Sequence, residues 1–184
     1  MLIQEPESSY SSYYTFHHEE LPDFSQVYHF TTRLNLVYSV YFSISEYDHW
    51  LTNYPYLLQN GYAFGFIPLF APVDCKKQPD KSIFLTLCKI IEFFIALNGN
   101  DCVLLYHCDH ADNKQAYRNK LFDSWYTTSP HSDQIVKHDL EIIWANNKEL
   151  KSYYLGYLTP KSNPNLSVLR AEFEEFSFRL YKGK

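Results

Sequence analysis

The stretch that decides the fold is Asp101–Tyr126, which reads DCVLLYHCDHADNKQAYRNKLFDSWY. Its first part, Cys102–Cys108, is a run in which both alternating sets of side chains are mostly apolar. A strand that is apolar on both faces is covered on both sides, so this run predicts an interior strand of a sheet. Asp109 follows the strand and is a candidate N-cap for a helix.

The second part of the stretch predicts an amphipathic helix. Tyr117, Leu121 and Trp125 recur at intervals of four residues, and Phe122 lies beside them. Residues with this spacing share one helix face, so they predict a stripe that packs against the core.

Four residues of this corner form the candidate functional cluster: Asp109, Asp112, Arg118 and Trp125. Arg118 borders the apolar stripe, where its stem can lie on Trp125 while its guanidinium turns back to the two carboxylates. One interpretation is a structural network that fixes the turn from strand to helix. This interpretation predicts that Arg118→Ala destabilises the fold more than a surface substitution does, because truncation breaks a partly buried pair. The other interpretation is a catalytic carboxylate cluster, which places the site at the centre of an enzyme.

Composition limits the class of protein. The chain has 184 residues, 46% of them hydrophobic, which suffices for one domain with a sizeable core. We expect a disordered, polar N-terminal tail at residues 1–12 and a single α+β domain at 13–184. The net charge of -5 disfavours a basic nucleic-acid surface.

Cysteine spacing and hydropathy indicate the compartment. No two of the four cysteines have the C-x2-C spacing, so we expect reduced thiols, no metal and no cofactor. The N-terminus lacks the basic and apolar segments of a secretory signal, and no apolar run is long enough to span a bilayer. We therefore expect a cytoplasmic protein that is not bound to a membrane.

Two hairpins flank the central stretch. Val27–Thr32 and Leu36–Ile44 predict the first. The second begins after Pro130, where alternation predicts which side chains face inward: Val136, His138, Leu140, Ile142 and Trp144. Between them lie polar side chains that are predicted to face water: Lys137, Asp139 and Glu141.

Helices complete the predicted fold. An apolar helix spans Lys81–Asn98, capped by Asp80 and followed by Gly99, and connects a strand Tyr62–Ile67, ended by Pro68, to the central strand. This order predicts a parallel pair of strands. The whole pattern predicts an α+β fold, with a single mixed or mostly antiparallel sheet built from two hairpins plus central strands and packed with three to four helices.

The corner also resembles a known family. A strand that ends Tyr-x-Cys-Asp, followed by Asp, Gln-x-x-Arg, Phe and Trp, is similar to a bacterial family known only as a domain of unknown function. The matching positions are Tyr106, Cys108, Asp109, Asp112, Gln115, Arg118, Phe122 and Trp125. The resemblance implies a bacterial source and no particular activity.

Two functions remain open from the sequence. The first is a non-enzymatic interaction or regulatory module that acts through a protein partner or as a homodimer. Its support is the absence of a phosphate-binding loop or nucleophile elbow, together with abundant Tyr and Trp, which suit interfaces. The second is a hydrolase acting on a phosphodiester, with the corner carboxylates and Arg118 as its site. An Arg118 that is paired with a corner carboxylate favours the module.

Overall fold

The computed structural model describes residues 13–23, 25–44, 47–73, 79–108, 112–145 and 150–182. Within these ranges there are seven strands and five helices. The strands are β1 (Phe16–Glu20), β2 (Gln26–Thr31), β3 (Val37–Ser43), β4 (Gly61–Phe70), β5 (Val103–His107), β6 (Ile135–Ala145) and β7 (Leu150–Pro160). The helices are α1 (Asp48–Leu51), α2 (Pro55–Asn60), α3 (Lys81–Asn98), α4 (Gln115–Thr128) and α5 (Leu166–Lys182).

The strands form one mixed sheet in the order β1-β2-β3-β4-β5-β7-β6. Both predicted hairpins are present, because β2 pairs with β3 and β6 pairs with β7 in antiparallel register. β4 and β5 are parallel, with α3 as the connection between them. The predicted α+β fold with a mixed sheet is confirmed. The helix count is higher than predicted because Pro55 begins a separate short helix.

β5 is an interior strand, as predicted, since it lies between β4 and β7. Its alternating side chains enter two different cores. Leu104 lies in the core between the sheet and α3. Val103 and Leu105 lie in the core on the opposite face of the sheet, which α1, α2 and α5 cover. This two-sided burial follows from the apolar run in the sequence.

α3 has the predicted bounds and caps. The carboxylate of Asp80 accepts a hydrogen bond from the backbone N–H of Ser82 at 2.9 Å, and Gly99 ends the helix at a positive φ of 86°. The apolar sequence of α3 does not make the whole helix buried, because Phe93 and Leu97 on its outer face are exposed. Thr86 is buried, and its hydroxyl donates to the carbonyl of Ser82.

β4 continues beyond its predicted end. Pro68 pairs with Tyr38 beside a register shift in β3 and does not stop the strand. An irregularity of the ladder accommodates a residue that lacks an N–H donor.

α5 packs its apolar stripe on the sheet. Leu169, Phe173 and Phe176 are buried in the core that also holds Val103 and Leu105.

α4 differs most from its prediction. It begins at Gln115, well after the N-cap predicted at Asp109, and Lys114 occupies the N-cap position with no side-chain hydrogen bond. Asp109 itself lies outside the described residues. Tyr117, predicted in the core-facing stripe, is 66% exposed. The core-facing stripe of α4 is therefore shorter than the spacing suggests. Phe122 and Trp125 make its contacts with β4 and α3.

Candidate functional site

Asp112 and Arg118, two residues of the predicted cluster, do pair. The two guanidinium nitrogens of Arg118 donate to the two carboxylate oxygens of Asp112 at 2.7 and 2.8 Å. The hydrogen bonds from Arg118 lower the pKa of the Asp112 carboxyl. The side chain of Asp112 is 42% exposed and that of Arg118 is 33% exposed, so this bidentate pair lies at the surface.

Trp125, the remaining described residue of that cluster, belongs to a pocket between α3, α4 and the sheet. This α3–α4 pocket has a cavity volume of about 340 Å³. Its floor comes from the sheet, including Phe64, Leu158 and Ile135, and its walls come from the two helices. A cavity of this size between helices and a sheet can take a small molecule.

Aromatic rings line one end of the pocket. Trp125 lies 5.9 Å from Phe66 and 5.7 Å from Phe84 between ring centroids. Phe122 contacts Phe66 at 6.1 Å and Tyr106 at 5.7 Å. These five residues, which are defined here as the aromatic end, connect both helices to the floor.

The opposite side of the pocket has a polar rim. Glu92 on α3 lies 3.4 Å from His131 in the connection after α4. The hydroxyl of Ser162 donates to Asn100 at 3.0 Å, and Gln134 also lines this part. Side chains of Glu92, Asn100, Gln134 and Ser162 are exposed, so the rim is the open side of the pocket.

Lys137 lines the pocket next to the aromatic end and was not predicted as a site residue. Because Lys137 alternates with inward-facing residues of β6, its side chain was predicted to face water, but it is only 5% exposed. The ammonium donates to Asp123 of α4 at 2.5 Å and also to Asp139 of β6. That prediction was wrong because α4 covers this face of the hairpin, which strand alternation alone does not show.

Tyr106 completes this network. Its hydroxyl donates to the carboxylate of Asp139. Burial raises the pKa of Tyr106 well above its usual range, so its hydroxyl stays protonated at neutral pH. Asp123, Asp139, Lys137 and Tyr106 together form the Lys137 network, which connects β5, β6 and α4.

Most of the residues that line this pocket lie in a segment that matches a known family. Residues 79–175 match the family model of DUF6169, described as a family of unknown function, over more than half of the 184 residues. The chain belongs to DUF6169. No curated protein and no solved structure matches the chain. The predicted resemblance to a domain of unknown function is confirmed.

The DUF6169 segment contains most of the pocket and all of the Lys137 network. It includes α3, β5, α4, β6 and β7, and therefore both walls of the pocket and the whole Lys137 network. Phe64 and Phe66 of β4, which precede the segment, complete the floor. The signal in the sequence that points to Lys137 is a Lys-x-Asp pair on one strand, with Asp123 on the polar side of the preceding helix.

Three cysteines of this DUF6169 member lie in the described ranges, and all three are free thiols: Cys88, Cys102 and Cys108. Burial raises the pKa of Cys102 to about 12 and that of Cys108 to about 11. Cys88 lines the pocket, and burial also raises its pKa. Thiols with these pKa values are protonated at neutral pH and are weak nucleophiles. Cys75 lies outside the described residues.

Two features are absent from the described ranges: a cluster of metal-ligating side chains and a helix that could span a membrane. Among those residues, no group of three or more His, Cys, Asp or Glu side chains is placed to hold a metal ion. Asp109 and His110 lie outside them. Of the described helices, none is long and apolar enough to cross a membrane.

Proposed function

We propose that this DUF6169 protein is a non-enzymatic regulatory module of the bacterial cytoplasm that binds one small, mostly apolar molecule in the α3–α4 pocket. The observation that carries the proposal is the pocket itself. Its volume of about 340 Å³ lies within the roughly 300–1,000 Å³ of small-molecule sites, and five aromatic residues define one end. Binding there changes how the module acts on a protein partner or on a second copy of the chain.

The alternative is a phosphodiester hydrolase that uses the corner carboxylates and Arg118. The pair between Asp112 and Arg118 favours the module, because each group already satisfies the other at the surface. A hydrolase needs the guanidinium to face the phosphate and a carboxylate to activate water or hold a metal ion.

The proposal is tested with N-phenyl-1-naphthylamine, a neutral aromatic probe whose fluorescence rises in apolar surroundings. We expect saturable binding to one site. Ala96 lines the open side of the pocket and its neighbour Leu97 does not, although both are exposed on α3. Ala96→Trp therefore blocks access, whereas Leu97→Trp adds the same group outside the pocket.

The pair of variants decides the outcome. Binding that is at least about tenfold weaker in Ala96→Trp and unchanged in Leu97→Trp supports the pocket as the site. Equal probe affinity in both variants, or no saturable binding to the wild type, contradicts the proposal. Circular dichroism melts of both variants establish that they are folded.

A hydrolysis assay separates the two functions. Bis(p-nitrophenyl) phosphate is incubated with the wild type and with Asp112→Asn and Arg118→Met. Turnover by the wild type that both variants lose supports the hydrolase. A wild type with no turnover, together with probe binding in the pocket, supports the module.

The partner is tested by sedimentation velocity on the purified chain, with and without the probe. A change in the fraction of dimer on probe binding, which Ala96→Trp abolishes, indicates that the module acts through a second copy. An unchanged monomer requires a different protein as the partner.

A further inference from the structure

Three contacts show that the pocket changes in polarity along α3. Near the start of the helix, Phe84 packs on Trp125 of α4. One turn later, the thiol of Cys88 lies 3.7 Å from the hydroxyl of Ser129. One turn further on, Glu92 lies 3.4 Å from His131. Along about two helical turns, the contacts between the pocket walls therefore change from packed aromatic rings to charged and hydrogen-bonding groups.

Burial changes in the same direction. Phe84 and Tyr106 at the aromatic end are buried, whereas Gln134 and Ser162 at the polar rim are exposed. The floor stays apolar under the rim, where Leu158 and Ile135 lie. The pocket thus has an enclosed end that accepts an apolar body and an open end that offers hydrogen bonds to a polar group.

The charged side chains that line the pocket already have partners in the protein. Lys137 binds two carboxylates, those of Asp123 and Asp139, so it attracts an anion only weakly. These two carboxylates carry one negative charge more than Lys137 neutralises, but neither of them lines the pocket, where a cation would contact it. Glu92 is paired with Lys89 at 3.1 Å. A charged ligand would lose its hydration here without gaining an opposite charge that is unpaired.

We infer that the ligand of the α3–α4 pocket is an electrically neutral amphipathic molecule, with a ring-bearing apolar body at the aromatic end and an uncharged hydrogen-bonding head at the polar rim. This inference rests on the proposed function and adds the class and orientation of the ligand. An amide such as that of Gln134 both donates and accepts, which suits a hydroxyl or amide head.

The charge of the head is tested with three probes that share one ring body: 2-(naphthalen-2-yl)ethanol, 2-naphthaleneacetate and 2-(naphthalen-2-yl)ethylamine. At neutral pH their heads are neutral, anionic and cationic. Dissociation constants come from displacement of N-phenyl-1-naphthylamine and from calorimetry. We expect the alcohol to bind at least about tenfold more tightly than either ion, because the ions meet no unpaired opposite charge.

The orientation is tested with Gln134→Lys, which places an unpaired cation at the rim. If the head lies there, this variant binds the naphthaleneacetate about tenfold more tightly than the wild type does, since an ion pair replaces an unmet charge. Asp133→Asn is the matched control. It raises the net charge by the same amount at the adjacent exposed residue, which does not line the pocket, and it should leave the affinity for the acetate unchanged.

The outcomes separate the inference from the function on which it rests. An ion that binds as well as the alcohol, or equal effects of Gln134→Lys and Asp133→Asn, overturns the inference and leaves the pocket as a binding site. Failure of every probe to bind overturns the proposed function and the inference with it. Preference for the alcohol and a gain of acetate affinity confined to Gln134→Lys support both.

Discussion

Tyr106 and Asp139 are hydrogen-bonded across a glycine that lies on the strand between them. In the sheet, Tyr106 of β5 is opposite Gly156 of β7, and Gly156 is opposite Asp139 of β6. The hydroxyl of Tyr106 reaches across β7 to the carboxylate. It can do so because Gly156 has no side chain to occupy that space.

Gly156→Ala should destabilise the protein by about 1–3 kcal/mol, the usual cost of inserting a methyl group into filled space. A Cβ at this position would overlap both the tip of the Tyr106 ring and the Asp139 carboxylate. The free energy of unfolding is measured in urea with the wild type as reference. Tyr106→Leu in the same chain removes the part of the clash that involves the Tyr106 ring, so the loss in the double variant should be smaller than the sum of the single losses. Additive losses would show that the contact with the Tyr106 ring does not cause the loss of stability in Gly156→Ala.

Lys137→Met should cost about 2–3 kcal/mol of unfolding free energy. The substitution keeps the stem but leaves the carboxylates of Asp123 and Asp139 without their cation, and breaking a buried ion pair costs about 3–5 kcal/mol. We expect less than this full cost because Asp123 is 52% exposed and water partly compensates its charge. Lys120→Met, at an exposed residue of α4, is the control and should stay within about 0.5 kcal/mol. Equal losses in the two variants would mean that Lys137 acts as a surface lysine.

Sequence patterns predicted the parts of this fold that depend on local chemistry. Asp80 and Gly99 bounded α3 correctly because a cap and a positive φ are properties of a few neighbouring residues. The run 102–108 predicted a strand covered on both sides because burial is visible in its composition.

The candidate site was harder to predict because it depends on which elements meet. Nothing local in β6 indicates that α4 covers Lys137, so alternation placed its side chain in water. Tyr117 fitted the helical period, yet α4 contacts the sheet only further along, at Phe122 and Trp125. Gly156 gave no signal either, because its role requires knowing that Tyr106 and Asp139 lie on either side of it.

Arg118→Ala should have no more effect on stability than Lys120→Ala. The sequence predicted a larger loss from a partly buried pair, but the pair with Asp112 lies at the surface, where water and salt weaken it. Both variants are compared by urea unfolding at low and high salt. A loss in Arg118→Ala that clearly exceeds that of Lys120→Ala would show that the corner depends on this pair. That result would favour the interpretation in which this pair fixes the turn from strand to helix.

His138 should make stability depend on pH in the weakly acidic range. Its ring packs against Tyr157 and Phe173 at centroid distances of 5.3 and 5.8 Å. Burial, followed by the charge of Arg170, lowers its pKa below 6.5, and the opposing effect of Glu174 is smaller. Glu174 lies 3.5 Å from Nε2, but within the described part of the chain that nitrogen has no hydrogen-bond partner.

The sign of the effect follows from proton uptake. Below about pH 6.5 the unfolded chain binds a proton at His138 that the folded chain still excludes, so stability falls as pH falls. The contribution is fully present above the unfolded pKa and is lost as pH falls through the lower folded pKa. His138→Phe keeps an aromatic ring and cannot titrate, so its free energy of unfolding should decrease less between about pH 7.5 and pH 5 than that of the wild type. His49→Gln, at an exposed histidine, is the control and should keep the wild-type slope. A slope in His138→Phe equal to that of the wild type would show that protonation of His138 is not coupled to folding.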